Sequence, residues 1–384
     1  MLEYYIGLTL LHISNKDINF ILRELSDNDI ISIFEGKFTE LQMKYSLDFS
    51  KYSKCLNDKL SLANALEKAK YIIEKNKELK IKAISINDIN YPINLKSVED
   101  APAVLYYKGR GFYKKHEKAI GCAGTRTPTN MGLRAVNSLV EKMVSEEFII
   151  VSGLAEGIDT QSHKACLEHK GITFAVLAHG LDTIYPKENE NLAEEILKSN
   201  GMLISEYPVG TKPEKYRFVN RNRIISGLSK GVIIFESKEK SGTMHTVNFA
   251  TKQERKIFCP VPIEDVEQTK GVKMLIENKQ AIPVATKEDY DIIITGTGYK
   301  IQKDKQKAKQ VKDKNIHKIL SNINIDLDTL QRFVMGEDLG KSGITVDKET
   351  YAQFKALLKE NNLTVKDVFN GFLISIVKSF RDKK

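Results

Sequence analysis

From residue 118 to about residue 299 the chain repeats one pattern: a short, nearly continuous apolar run, then a longer stretch with apolar residues at helical spacing. The runs fall at 119–122, 148–151, 172–178, 202–205, 231–235, 257–261 and 281–284. The stretches include 132–145, 158–169, 189–199, 221–228 and 244–253. A strand that is apolar along its whole length has both faces covered, and strands joined through helices run parallel. The pattern predicts an α/β domain: a Rossmann-like, doubly wound, mostly parallel sheet.

The flanks read differently. Residues 1–90 read as a small helical domain. Asp17 to Leu25, and the series Leu62, Leu66, Ala69, Ile72 and Ile73, carry apolar groups at helical intervals. Tyr91-Pro92 and Pro102, followed by the apolar run through Leu105 to Gly109, lead into the sheet. The central domain is therefore placed at 91–299. Residues 300–340 read as a basic linker or extension, with Lys300, Lys303, Lys305, Lys307, Lys309, Lys312 and Lys314 crowded together. Residues 341–384 read as a strand, Ile344-Thr345-Val346, and two helices. Asp347 and Thr364 stand where caps belong. So small a unit cannot bury a core of its own, and a homodimer is the expected remedy.

Charge is unevenly spread. The chain carries +9, but residues 300–384 hold eighteen Lys and Arg against eleven Asp and Glu, leaving a surplus of two for the rest. A polyanion partner for the C-terminal part and a solvated lysine-rich tail explain this equally well. No apolar run is long enough to span a bilayer, and Met1-Leu2-Glu3-Tyr4-Tyr5 does not begin a signal peptide. Cytoplasmic residence, with no membrane partner, is the expectation. Cys55, Cys122, Cys166 and Cys259 stand far apart with no CxxC, so reduced, mostly buried thiols are expected rather than a zinc ribbon.

In a parallel sheet ligands gather outside the carboxyl ends of the strands. After 119–122 comes Gly124-Thr125-Arg126-Thr127-Pro128-Thr129, with a glycine for close approach, hydroxyls and an arginine fork for phosphate. Pro128 and the threonines suit a helix start, whose free N–H groups favour an anion. After 148–151 comes Ser152-Gly153-Leu154-Ala155-Glu156-Gly157, and after 231–235 comes Ser241-Gly242-Thr243. Each alone is no more than a tight turn; together they converge on one edge. Arg217-Phe218-Val219-Asn220-Arg221-Asn222-Arg223 reads as a loop before a helix, with three arginines beside an aromatic. That mixture suits a nucleic-acid backbone with stacked bases. Neither GxGxxG nor GxxxxGK[ST] occurs at the first loop, which disfavours a dinucleotide or P-loop site.

His163 lies four residues after Asp159, a spacing open to a metal pair, but no third ligand accompanies them and a packed histidine is expected. No cofactor, metal or catalytic constellation is expected. A rival reading keeps Glu156 and Asp182, near strand ends, as acid or base of an enzyme that binds or hydrolyses nucleotide derivatives. A third reading is a double-stranded DNA regulator acting through residues 341–384.

Longer motifs sharpen this. Gly124-Thr125-Arg126, the run Ser152 to Thr160 with His163, Gly180-Leu181-Asp182-Thr183-Ile184-Tyr185-Pro186, Ser205-Glu206-Tyr207-Pro208-Val209-Gly210, Phe218 with Arg221-Asn222-Arg223-Ile224-Ile225-Ser226-Gly227-Leu228, and Ser241-Gly242-Thr243 together resemble the DprA/Smf family. The likeness covers roughly residues 85–285. It implies a non-catalytic, dimeric protein that binds single-stranded DNA and loads a RecA-type recombinase, typically in natural transformation. By motif position it implies DNA contacts from Arg126, Arg221, Asn222 and Arg223, with Gly124, Gly153 and Gly242 shaping the pocket. The sequence departs at Met244-His245-Thr246-Val247, where the family often has an alanine-rich helix, and at Pro260-Val261-Pro262. The end of the chain does not resemble the winged helix of many members. Residues 341–384 are instead similar to a ribbon–helix–helix module, which pairs strands from two chains in the major groove of double-stranded DNA.

Overall fold

The computed structural model describes residues 1–45, 50–301, 356 and 359. The expected linker and ribbon–helix–helix module lie almost wholly outside these. Met1–Tyr299 form one compact unit, distinct from Lys300–Lys384.

Among the described residues nine strands make one sheet. They are β1 Lys82–Ser85, β2 Val104–Gly109, β3 Ala119–Ala123, β4 Ile149–Ser152, β5 Thr173–Leu177, β6 Met202–Ser205, β7 Gly231–Ile234, β8 Lys256–Pro260 and β9 Ile282–Val284. Their order is β1-β2-β6-β5-β4-β3-β7-β8-β9. β3 to β9 pair in parallel. All seven expected apolar runs thus become parallel strands of the α/β fold. β3, β4, β5, β6 and β7 are buried at every position, which is why they read as unbroken apolar runs. β2 adds to β6 antiparallel, with Tyr106 opposite Ser205, and β1 adds to β2 antiparallel, with Ile84 opposite Leu105.

β1 is a difference from the sequence reading, which took this stretch as helical. The helix Lys59–Glu78 ends there, and Lys80 reverses the chain at φ +55°. Only Ile84 of the four β1 residues is fully buried. An edge strand this short leaves no apolar run to see. The helices before it follow expectation. Ser14 and Ser26 each accept an N–H bond from the third residue on, at 3.2 Å, and start the helices Asn15–Glu24 and Asp27–Phe34. Ile6, Ile18, Ile21, Ile30 and Ile33 of this region share one continuous core with Ile84, Leu105, Phe174 and Leu203 of the sheet.

The sheet grows in two directions from β3. Chain order runs β3, β4, β5, β6 one way, while β7, β8 and β9 add on the other side, with Cys122 opposite Ile233. A crevice opens at such a switch point, beyond the carboxyl ends of the two diverging strands. The loops after β3 and β7 meet there.

Candidate nucleic-acid interface

Backbone hydrogen bonds lock the loops at the switch point together. Thr125 N donates to Glu236 O at 2.8 Å, Phe235 N to Ala123 O at 3.1 Å, and Ile158 N to Thr125 O at 3.2 Å. Gly157 sits at φ +76°, and a Cβ there would lie 2.5 Å from Thr125 O, so only glycine lets the loop after β4 close against the loop after β3.

The result is an open pocket of about 370 Å³. Gly124, Thr125 and Arg126 line it from the β3 loop. Phe218, Arg221 and Asn222 line it from the helix Lys215–Leu228. Ser241, Gly242 and Thr243, with Lys238, line it from the β7 loop. These segments are far apart in sequence and meet only through the parallel sheet.

The arginine-rich segment is not a loop. It lies in the helix Lys215–Leu228, which begins six residues before the expected start. Helical spacing then decides which side chains reach the pocket. Arg221, Asn222 and Ile225 lie three, four and seven residues on from Phe218, one face, and all four line it. Arg217 and Arg223 are not lining residues. Arg217 donates to Lys212 O at 2.5 Å, pairs with Glu214 at 2.9 Å and rests against the rings of Tyr207 and Tyr216. Arg223 is buried, with Glu206 at 2.6 Å and Asp100 at 3.0 Å, and ties the helix to neighbouring segments.

Arg221 is the unusual group. Only 4% of its side chain is exposed, and Nη1 lies 3.7 Å from Asp159 Oδ2. Its Nε and Nη1 have no hydrogen-bond partner. Buried polar groups are normally satisfied, and this guanidinium, which lines the pocket, has a long ion pair with Asp159. Burial raises the pKa of Asp159 even though Arg221 pulls it down, and burial lowers that of Arg221 even though Asp159 opposes it. Gly153 lies directly beneath: a Cβ there would fall 1.2 Å from Nη1. Gly153 acts on the pocket through Arg221 rather than by touching a ligand. Ser152 does not reach the pocket; it is fully buried and donates to Cys122 O at 2.7 Å.

Arg126 is exposed, with its guanidinium 5.8 Å from the centroid of the Phe218 ring, within cation–π range. On the far side the helix Thr243–Lys252 starts at Gly242 with no side-chain cap, and Met244 N and His245 N donate to Ser241 O and Gly242 O, each at 3.2 Å, so the loop itself engages those amides. The helix Asn130–Ser145 is capped by side chains instead. Glu236, 3% exposed, accepts from Thr129 N at 2.9 Å and from Thr129 Oγ1 at 2.6 Å, and Thr129 Oγ1 accepts from Gly132 N at 3.0 Å. The anion expected near Pro128 is supplied by the protein itself.

The acid–base candidates lie elsewhere. Glu156 is exposed and does not line the pocket. Asp182 accepts from Gly210 N at 2.9 Å and fixes a loop. Asp159, the carboxylate among the lining residues, is engaged by Arg221 and by Gly153 N at 3.1 Å. His163 is fully buried with Nδ1 2.6 Å from Thr173 Oγ1; burial, helped by Arg221, holds its pKa down to about 3. Among the described residues no three His, Cys, Asp or Glu side chains gather as metal ligands. The four cysteines are unpaired, and burial pushes Cys166 and Cys259 up to about 12. No helix of the described residues is long and apolar enough to cross a membrane.

Sequence reasoning did not identify Asp159 as the partner of Arg221, nor Lys238 as a lining cation. The three-residue spacing of Phe218 and Arg221 would have revealed the shared face had the helix start been placed earlier.

The chain is similar to known proteins. The chain is 42% identical over 212 residues to the DNA processing protein DprA of Bacillus subtilis, covering 55% of this chain and 71% of that one. It is 39% identical over 180 residues to the Streptococcus pneumoniae DprA, covering 47% of this chain and 63% of that one. The X-ray structure of the S. pneumoniae protein superposes with a TM-score of 0.55 and 29% identity, over 72% of this chain and 96% of that one. The sequence model of the DNA recombination-mediator protein A family matches residues 82–294, from β1 to the last helix of the described unit. The switch-point pocket is thus carried on that family's own framework, and the chain belongs to the DNA recombination-mediator protein A (DprA/Smf) family.

Proposed function

We propose that this protein is a non-catalytic, cytoplasmic recombination mediator that holds single-stranded DNA in the pocket between the ends of β3 and β7. The observation that carries the reading is the buried Arg221, whose guanidinium lines an open pocket and whose ion pair with Asp159 is long, at 3.7 Å. A phosphodiester supplies what that guanidinium lacks. Arg126 and Lys238 add cations for neighbouring phosphates, and Phe218 offers a face for a base. Among the described residues the carboxylate lining the site, Asp159, is engaged by Arg221 and Gly153 N, which weighs against the nucleotide-hydrolase reading.

Family membership supports the finer proposals: assembly as a homodimer and delivery of the bound strand to a RecA-type recombinase, in natural transformation where the host takes up DNA. The positive surplus of residues 300–384 supports a second grip on DNA, double-stranded included, through residues 341–384.

Gel-shift titration of the full chain tests the site. Replacing Arg126 and Arg221 with alanine removes two phosphate contacts. The slope of log affinity against log salt should shrink by about 1.4. Unchanged affinity and slope would sink the assignment.

A further inference from the structure

One large aromatic side chain lies in the open beside the pocket. Tyr185 is 46% exposed, and its ring stands 5.6 Å from that of Phe218, tilted by 55°. Phe218 in turn faces the guanidinium of Arg126 at 5.8 Å. Guanidinium, phenyl ring and phenol ring therefore follow one another at nearly equal steps. The first two belong to the pocket wall and the third lies outside it. A lone exposed tyrosine needs no explanation. This one continues a stack that begins inside an anion-binding pocket. Among the described residues no hydrogen bond engages its hydroxyl, so the ring is not held there for the sake of its oxygen. The two rings are tilted rather than stacked on each other, so they present two differently oriented surfaces.

We propose that Tyr185 is a second base-stacking residue, which carries the strand out of the pocket one nucleotide beyond Phe218. The inference rests on the single-stranded DNA reading of the pocket. It gives the path a direction: phosphates at Arg221 and Arg126, one base on Phe218, the next on Tyr185. Stacking on an aromatic face is tolerant of base identity, so the extension adds affinity without sequence preference.

The test is fluorescence anisotropy of the full chain with labelled oligothymidines of increasing length, using wild type, Phe218→Ala, Tyr185→Ala and Tyr185→Phe. Thermal melting of each variant checks that the fold is kept. Tyr185→Ala should raise Kd about fivefold on longer oligomers, the low end expected for one stacked base. The deficit should vanish on the shortest oligomer that still binds, and Tyr185→Phe should match wild type. If Phe218→Ala weakens binding while Tyr185→Ala binds every length like wild type, the extension is wrong and the pocket stands. If neither alanine variant weakens binding, the pocket reading itself fails. Equal weakening by Tyr185→Ala and Tyr185→Phe would overturn stacking in favour of a hydroxyl contact.

Discussion

Replacing Gly153 with alanine reaches the site without substituting any residue that lines it. A Cβ at this position would lie 1.2 Å from Arg221 Nη1 and 2.1 Å from Cζ. An unstrained contact needs about 3.5 Å, so the guanidinium must retreat by roughly 2 Å. Gly153 is not at positive φ, so alanine fits the backbone. The obstacle is the end of a flexible side chain, and the protein rearranges rather than unfolds, at a cost of about 1–3 kcal/mol. The retreat ends the 3.7 Å approach to Asp159 and takes a cation from the pocket wall. Losing one charged hydrogen bond to phosphate costs about 1.5–3 kcal/mol, tenfold or more in Kd. The salt slope should shrink by about 0.7, one single-strand phosphate contact. The assay is anisotropy with an oligothymidine across a salt series, with urea unfolding alongside. Wild-type affinity and slope in Gly153→Ala would refute Arg221 as a phosphate contact.

Other perturbations separate structural groups from binding groups. Glu236→Ala strips the internal cap from the helix Asn130–Ser145 and should cost about 1–3 kcal/mol in thermal melting, with ssDNA affinity unchanged; a rise in affinity would mean that this helix start takes phosphate after all. Arg223→Ala leaves Glu206 buried without its cation and should cost about 3–5 kcal/mol in urea unfolding, while the salt slope of the folded protein stays put; a shallower slope would place Arg223 on DNA. His163 is held neutral in the fold, so the unfolded chain binds a proton that the native one refuses. Its contribution is whole above pH 6.5 and is lost as pH falls toward about 3, at up to about 1.4 kcal/mol per pH unit. His163→Gln should flatten the acid side of the stability curve, and an unchanged profile would contradict a buried neutral imidazole.

The parallel sheet was legible because β3 to β7 are covered on both faces and leave apolar runs, whereas β1, an edge strand with one buried residue, leaves none. The strand-end loops were equally visible: Gly124, Arg126, Gly242 and their neighbours sit where a parallel sheet places ligands. The arginine segment was only half legible. Its composition pointed to nucleic acid, but composition does not distinguish Arg221, on the pocket face of a helix, from Arg223, two residues on and turned to Glu206. Nor could it show that Glu236, more than a hundred residues away in sequence, fills the helix start near Pro128.

The most direct measurement is a crystal structure of the full chain with a short oligothymidine. A phosphate within hydrogen-bond reach of the Arg221 guanidinium, with a base against Phe218, is the predicted result. A strand bound elsewhere, with the pocket between the ends of β3 and β7 empty, would contradict it.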